Sequence, residues 1–293
     1  MATTTADGDD LALRRPSQPV WQKIDRYLLP AFTVLAIGYL LIPIVVMIVF
    51  SFNKPVGKFN YAWNEFSIDG WLHPFDWPGL GSAVLTSLGV AIVSTIIATV
   101  LGTMIGLALT RYSFRGRGLL NGLIFLPMAT PEIVMGASLL TLFVATALPP
   151  IAGSVPLLYP TGLHTIIIAH IMFNISFVVV TVKARVSGFD RRLEEAAMDL
   201  GADELTTFWK VTFPLILPGI TAAALLAFSL SIDDFVITNF VSGTTNTFPI
   251  WVYSIQRNAL PVQINVVGSM VFLGAVGLVL VSSLRSGGIP KLR

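Results

Sequence analysis

Cysteine is absent from this 293-residue chain, which excludes both a disulfide framework and a thiolate metal site. Charge is scarce: 12% of residues are Asp, Glu, Lys or Arg, against about 25% in soluble domains. With 54% of residues hydrophobic and a mean hydropathy of +0.79, a water-exposed surface would carry large sticky patches, so lipid is the implied solvent. No phosphate loop of the G-x-x-x-x-G-K-S/T form occurs, so ATP hydrolysis is not housed in this chain. The formal net charge is only +2, and the basic residues form no stripe with interleaved aromatics, which argues against a nucleic-acid partner. His73, His164 and His170 lack close metal-ligand spacing; no metal site and no cofactor are expected. No internal repeat relates the two halves.

What is present is apolar sequence in long runs. Six stretches, 28–52, 80–110, 119–148, 163–182, 215–240 and 262–284, can each cross roughly 30 Å of hydrocarbon as a helix. Pro127 and Pro131 predict a break in the third. The run after Arg26 is too long for a cleavable signal and ends in Phe50, Ser51, Phe52 and Asn53, without a small-x-small site. The pattern predicts an all-α integral membrane protein with a disordered tail at 1–25, a six-helix membrane domain at 26–285 and a short tail at 286–293.

Orientation follows from the basic residues, because positively charged loops stay cytoplasmic. With the N-terminus inside, the inner segments hold Arg14, Arg15, Lys23, Arg26, Arg111, Arg115, Arg117, Lys183, Arg185, Arg191, Arg192, Lys210, Arg285, Lys291 and Arg293. The outer loops hold only Lys54, Lys58 and Arg257, together with Trp63, Trp71, Trp77, Trp251 and Tyr253. Both termini are therefore placed in the cytoplasm. A lone six-helix chain is a thin wall around any solute path, which points to completion by a second membrane subunit.

Residues 183–218 form the one long polar insertion. Leu193, Ala196, Ala197 and Leu200 share one helical face, with Arg192, Glu195 and Asp199 opposite. Gly201 stands where a helix stops in the left-handed conformation, and Asp203 is an N-cap for a second short helix running to about Val211. Pro214 and Pro218 are expected to steer the chain back into the membrane. Two readings suit this amphipathic helix: docking into a partner's groove, favoured by the small Ala196 and Ala197, or lying flat at the lipid interface.

Glu195-Ala196-Ala197, then Gly201, then Val211-Thr212-Phe213-Pro214 resembles the EAA motif of ATP-binding-cassette importer permeases. Valine and phenylalanine stand where that motif usually has isoleucine and leucine. The resemblance implies the type I importer permease fold, and makes 183–218 a coupling loop. Its helix would sit in a groove of a cytosolic ATP-binding-cassette ATPase dimer, with Glu195, Ala196, Ala197, Asp199, Gly201 and Pro214 at the contact. Such a permease is a transport subunit and not an enzyme. It also implies an extracytoplasmic substrate-binding protein that selects the solute.

Intramembrane ionisable groups are functional candidates by default. Here they are Glu132, Asp233 and Asp234. Counted from the cytoplasmic ends, Glu132 lies roughly 20 Å and Asp233 roughly 26 Å deep. An outward vestibule lined by carboxylates would favour a cationic solute. The structural alternatives are that Thr130 caps a helix opened by Pro131, with Glu132 on its dipole, and that Asp233 and Asp234 mark a wetted helix end. The stretch 229–237, followed by Phe240-Val241-Ser242-Gly243 and Phe248-Pro249, resembles the second permease of polyamine importers, for putrescine or spermidine. A permease for another small solute, or a proton-coupled carrier using the same acids, is the competing expectation. Trp251, Tyr253 and Gln256 are read as interfacial anchors or as contacts for the binding protein.

Overall fold

The computed structural model describes residues 20–145 and 161–285, with side chains over 28–145 and 161–277. Most of the expected N-terminal tail, the tail 286–293 and the outer end of the third span lie outside the described residues. The chain forms α1 (Val20–Phe50), α2 (Asp69–Leu72), α3 (Leu80–Arg111), α4 (Arg117–Ala129), α5 (Glu132–Ala145) and α6 (Leu163–Ser187). These are followed by α7 (Arg192–Asp199), α8 (Glu204–Thr207), a π-helical turn at Phe208–Thr212, α9 (Phe213–Ile232), α10 (Val236–Val241), α11 (Phe248–Ile255) and α12 (Val262–Arg285). Four helices are long and apolar enough to cross a membrane, and the bent pair α4 and α5 makes a fifth if taken as one span. α12 runs for 24 residues, apolar from Val262 to Gly277.

The described residues divide into two compact units, 20–72 with 262–285, and 73–145 with 161–261. In the first, none of residues 28–50 of α1 is buried. A helix apolar on every exposed side belongs in lipid, where Pro30 and Pro43 inside it are tolerated. Its end is tied off by asparagines. Asn60 Nδ2 donates to the Phe50 carbonyl at 2.9 Å, and Asn53 Nδ2 donates to Asn60 Oδ1 at 2.6 Å. Trp71 stacks on Phe52 at 5.3 Å and donates from Nε1 to Ser51 Oγ.

In the second unit, α3 and α6 lie side by side through glycine. A Cβ on Gly102 would stand 2.6 Å from Val178 Cγ1, and one on Gly106 would stand 3.3 Å from Val182 Cγ1. This G-x-x-x-G approach is the way helices gain contact in lipid, where no hydrophobic drive brings them together. Gly102→Ala is expected to destabilise the fold by about 2 kcal/mol, because Val178 Cβ is also only 2.7 Å from the added carbon and cannot swing away; the thermal unfolding midpoint of the purified protein checks it. Val178, Val182 and Val186 of α6 continue the core onto Ile216, Ala223 and Ala227 of α9. A second cluster joins α3, α5, α6 and α10 around Phe143, Ile166 and Ile237.

The third span breaks as its prolines predict, and two others differ from their expected form. The third bends by 107° between α4 and α5, at Pro131 alone; Pro127 sits inside α4. Thr130 closes α4 and does not cap α5: its hydroxyl donates back to the Leu126 carbonyl at 2.7 Å. The fourth helix continues past 182 to Ser187, because Lys183 and Arg185 mark where lipid ends, not where helix does. The fifth does not run unbroken over 215–240; it stops at Ile232 and resumes as α10.

Candidate functional site

The polar loop folds around a side chain that its sequence pattern did not single out. Glu194, 14% exposed, accepts from Arg111 Nη2 at 2.7 Å and from the Thr212 hydroxyl at 2.5 Å. The Arg111 guanidinium in turn lies 5.3 Å over the Phe189 ring. This clamp seats α7 on the end of α3 and the π-helical turn before α9, with Ala197 half-buried on the same helix. Glu195, Ala196 and Asp199 face outward; Glu195 is 59% exposed and lies 3.9 Å from Arg191. Of the apolar face read from the sequence, Leu193 and Ala196 are exposed, Leu200 is 90% exposed and Ala197 is half-buried; Met198, outside that face, is exposed as well.

The turn after α7 matches its sequence signals. Gly201 adopts φ +89°, its amide donates to the Met198 carbonyl, and the Ala202 amide reaches back to Ala197, which is a Schellman closure. No atom lies within 4 Å of a Cβ placed there, so the demand for glycine is conformational. Asp203 caps α8 by accepting from the Thr206 amide at 3.1 Å. Hydrogen bonds from Thr206, side chain first, hold the Asp203 carboxyl below its usual 3.8. The ionised cap is thus intact at neutral pH and is lost only as pH falls below that value.

The second short helix does not stop near Val211. Helix continues from Glu204 to Ile232, and the π turn at Phe208–Thr212 explains how Pro214 fits. Proline lacks an amide hydrogen and crowds the carbonyl four residues back. The wider turn, closed by the Phe213 amide on the Phe208 carbonyl, makes room for that ring. Pro214 itself is exposed, and Leu205 and Trp209 are exposed on the same segment.

The intramembrane acids fall into two environments. Asp234, 7% exposed in its side chain, accepts from the Thr238 amide at 2.8 Å and from the Thr238 hydroxyl at 2.6 Å. Buried His170 lies beside it, with Nε2 2.9 Å from Thr238 Oγ1 and 3.4 Å from Asp234 Oδ2. His170 Nδ1 is 2.6 Å from Ser231 Oγ, which is 3.0 Å from Ser94 Oγ. Thr238 has one hydroxyl proton and gives it to Asp234, so His170 Nε2 must carry the hydrogen it shares with Thr238. The chain of bonds ties α3, α6, α9 and α10 across the break after Ile232. Apart from Asp234, its members carried no signal in the sequence, because each is an ordinary small or buried polar residue until folding joins them.

Asp233 is exposed at the same break, and Glu132 is exposed in the first turn of α5. Asp233 lies within Coulombic reach of both Asp234 and Glu132. Folding therefore brings the three predicted acids to one place, at the facing breaks of two helices. Among the described residues no group of His, Cys, Asp and Glu could hold a metal. Trp251, read as an interfacial anchor or a contact for the binding protein, is buried under Gly79 and donates from Nε1 to the Pro78 carbonyl at 3.1 Å. Tyr253 is exposed and packs against Phe235 in a tilted pair, ring centroids 4.7 Å apart, and Gln256 is exposed.

Residues 98–287 match the family described as binding-protein-dependent transport system inner membrane component. The chain belongs to this family. The permease is 33% identical over 259 residues to the spermidine/putrescine transport system permease protein PotC of Haemophilus influenzae, covering 88% of this chain and 96% of that protein. It is 35% identical over 262 residues to PotC of Escherichia coli K12, with 89% and 94% covered. To the putrescine transport system permease protein PotI of the same strain it is 36% identical over 247 residues, with 84% and 85% covered.

The fold is that of importer permeases. A chain of a bacterial ABC transporter involved in the import of the acidic polysaccharide alginate superposes with a TM-score of 0.69 at 17% identity, covering 94% of the permease and 100% of that chain. A chain of the MetNI methionine ABC transporter gives 0.56 at 18% identity, covering 72% and 96%. The permease is thus a multi-pass membrane component of transport and not an enzyme. Its family works with a binding protein by description.

Proposed function

We propose that this permease is a membrane-spanning subunit of an ATP-driven importer for a small cationic solute, a polyamine such as putrescine or spermidine. The observation that carries the reading is identity of 33% to 36% over most of the chain to permeases named for those solutes. The exposed Asp233 and Glu132 support it, since carboxylates at the facing breaks of two helices attract amines. In this reading the chain crosses the membrane six times with both termini inside, and 26–285 is the membrane domain. A second permease subunit completes the path, a cytosolic ATPase dimer drives it, and an extracytoplasmic binding protein delivers the solute. Asp233 and Glu132 face the path, and Asp234 belongs to the frame that holds them.

The exposure of Leu193, Ala196 and Leu200 on the apolar face of α7, with Glu195 and Asp199 also open, supports docking of α7 on the ATPase. Gly201 and the π turn before Pro214 continue α7's seat directly into α9, so a push on the loop is carried into the span that ends at Asp233. Vesicles containing the assembled importer are expected to accumulate labelled putrescine or spermidine only with ATP and binding protein. Uptake that persists without ATP and follows a pH gradient would instead identify a proton-coupled carrier.

A further inference from the structure

A cavity of about 250 Å³ opens between α4 and α6, and its lining includes none of the intramembrane acids and none of the exposed residues of α7. Its lining is graded. Ile124 and Phe125 of α4 face Val179 and Val180 of α6, while Asn121 of α4 lies level with Lys183 of α6, whose Nζ donates to Asn121 Oδ1 at 2.6 Å. Ser187 follows one turn beyond Lys183. Among the described residues no carboxylate pairs with Lys183. The ammonium keeps further protons to donate, at the edge of a mainly apolar cleft.

The gradient runs the same way on both helices. From Val179 to Ser187 the chain climbs about 12 Å, from apolar to polar, toward the end of α6 that the proposed orientation places at the cytosol. α4 mirrors it, from Phe125 through Asn121 to Arg117, which is half-buried. The neighbouring surface of α4 is apolar and open at Leu119, Leu123 and Leu126.

We infer that this cleft binds an anionic phospholipid of the inner leaflet, its phosphate held by Lys183, Asn121 and Ser187 and one acyl chain lying along Ile124, Phe125, Val179 and Val180. Charge complementarity selects the occupant: an unpaired cation above an apolar slot matches a phosphate above a hydrocarbon chain, the pattern of basic pockets between spans on the cytoplasmic side. The same ammonium repels a cationic solute, so the cleft is no branch of the transport path. The inference rests on the proposed orientation and not on the choice of solute.

The test uses the full chain purified with its co-assembled subunits and placed in nanodiscs of mixed phosphatidylglycerol and phosphatidylcholine. Native mass spectrometry after extraction is expected to retain phosphatidylglycerol over phosphatidylcholine by about fivefold, and K183Q to abolish that preference while K183R keeps it. Glycerol 3-phosphate is expected not to displace the lipid, because the head alone lacks the chain contacts. Equal retention of the two lipids by the unmodified complex overturns the inference even if K183Q fails to assemble. Displacement by glycerol 3-phosphate, or a photoreactive group at Phe125 that captures another subunit in place of lipid, overturns it as well.

Discussion

Gly201→Val is expected to abolish ATP-driven uptake while leaving the membrane helices folded. The residue stands at φ +89°, where a β-branched side chain is strained by about 2 kcal/mol. Valine would draw this position toward negative φ and open the bonds from Gly201 to Met198 and from Ala202 to Ala197 that close α7. α7 would then present Leu200 and Glu195 in the wrong direction, and the ATPase would lose its seat. The expected result is at least a roughly tenfold loss of ATPase co-purification and a matching loss of uptake, since misplacing one docking element costs on the order of 1.4 kcal/mol or more. Gly201→Asn supplies the control. Asparagine visits the left-handed region readily and nothing crowds its Cβ, so that variant is expected to keep most coupling. Equal loss in both variants would show that the requirement is for a bare backbone at the contact and not for the turn.

The second large effect separates two adjacent acids. Asp233→Asn is expected to lower polyamine uptake by about tenfold, the worth of one charged hydrogen bond, without changing the stability of the protein. Asp234→Ala acts on the other quantity. It strips the acceptor from the Thr238 amide and hydroxyl and leaves His170 beside an empty position, at an expected cost to folding of about 3 kcal/mol. Thermal unfolding of the purified complex, measured beside uptake, distinguishes the roles. A stable Asp234→Ala protein, or an Asp233→Asn protein with normal uptake, would reverse the assignment. Thr238→Ser is expected to restore what Thr238→Val loses, because the hydroxyl that feeds Asp234 is kept.

The loop and the acids form one mechanical line. α8, the π turn and α9 are continuous from Glu204 to Ile232, with the Glu194 clamp at one end and the break before Asp233 and Asp234 at the other. Arg185 braces the middle, donating from Nε and Nη2 to the Leu215 carbonyl while its side chain crosses Gly219, where a Cβ would stand 2.6 Å from it. In the proposed importer, movement of the docked loop thus reaches the acids through a single helix, with no flexible joint between.

The amino-acid sequence by itself determined the solvent, the class and the local stops. Scarcity of charge and runs of about 20 apolar residues imply spanning helices because an unpaired backbone amide in lipid has nowhere else to bond. Gly201 and Asp203 were legible for a similar reason: a cap is settled by partners two to five residues away, all within one window of sequence. Only the tertiary structure decided which carboxylates are free. Glu194 is held by Arg111, 83 residues distant, and His170 by Ser231 and Thr238, 61 and 68 residues distant. The break after Ile232 likewise carries no proline or glycine to announce it, since it is stabilised by Asp234 and a histidine from another helix. Two neighbouring aspartates look alike until long-range hydrogen bonds bury one and leave its neighbour exposed.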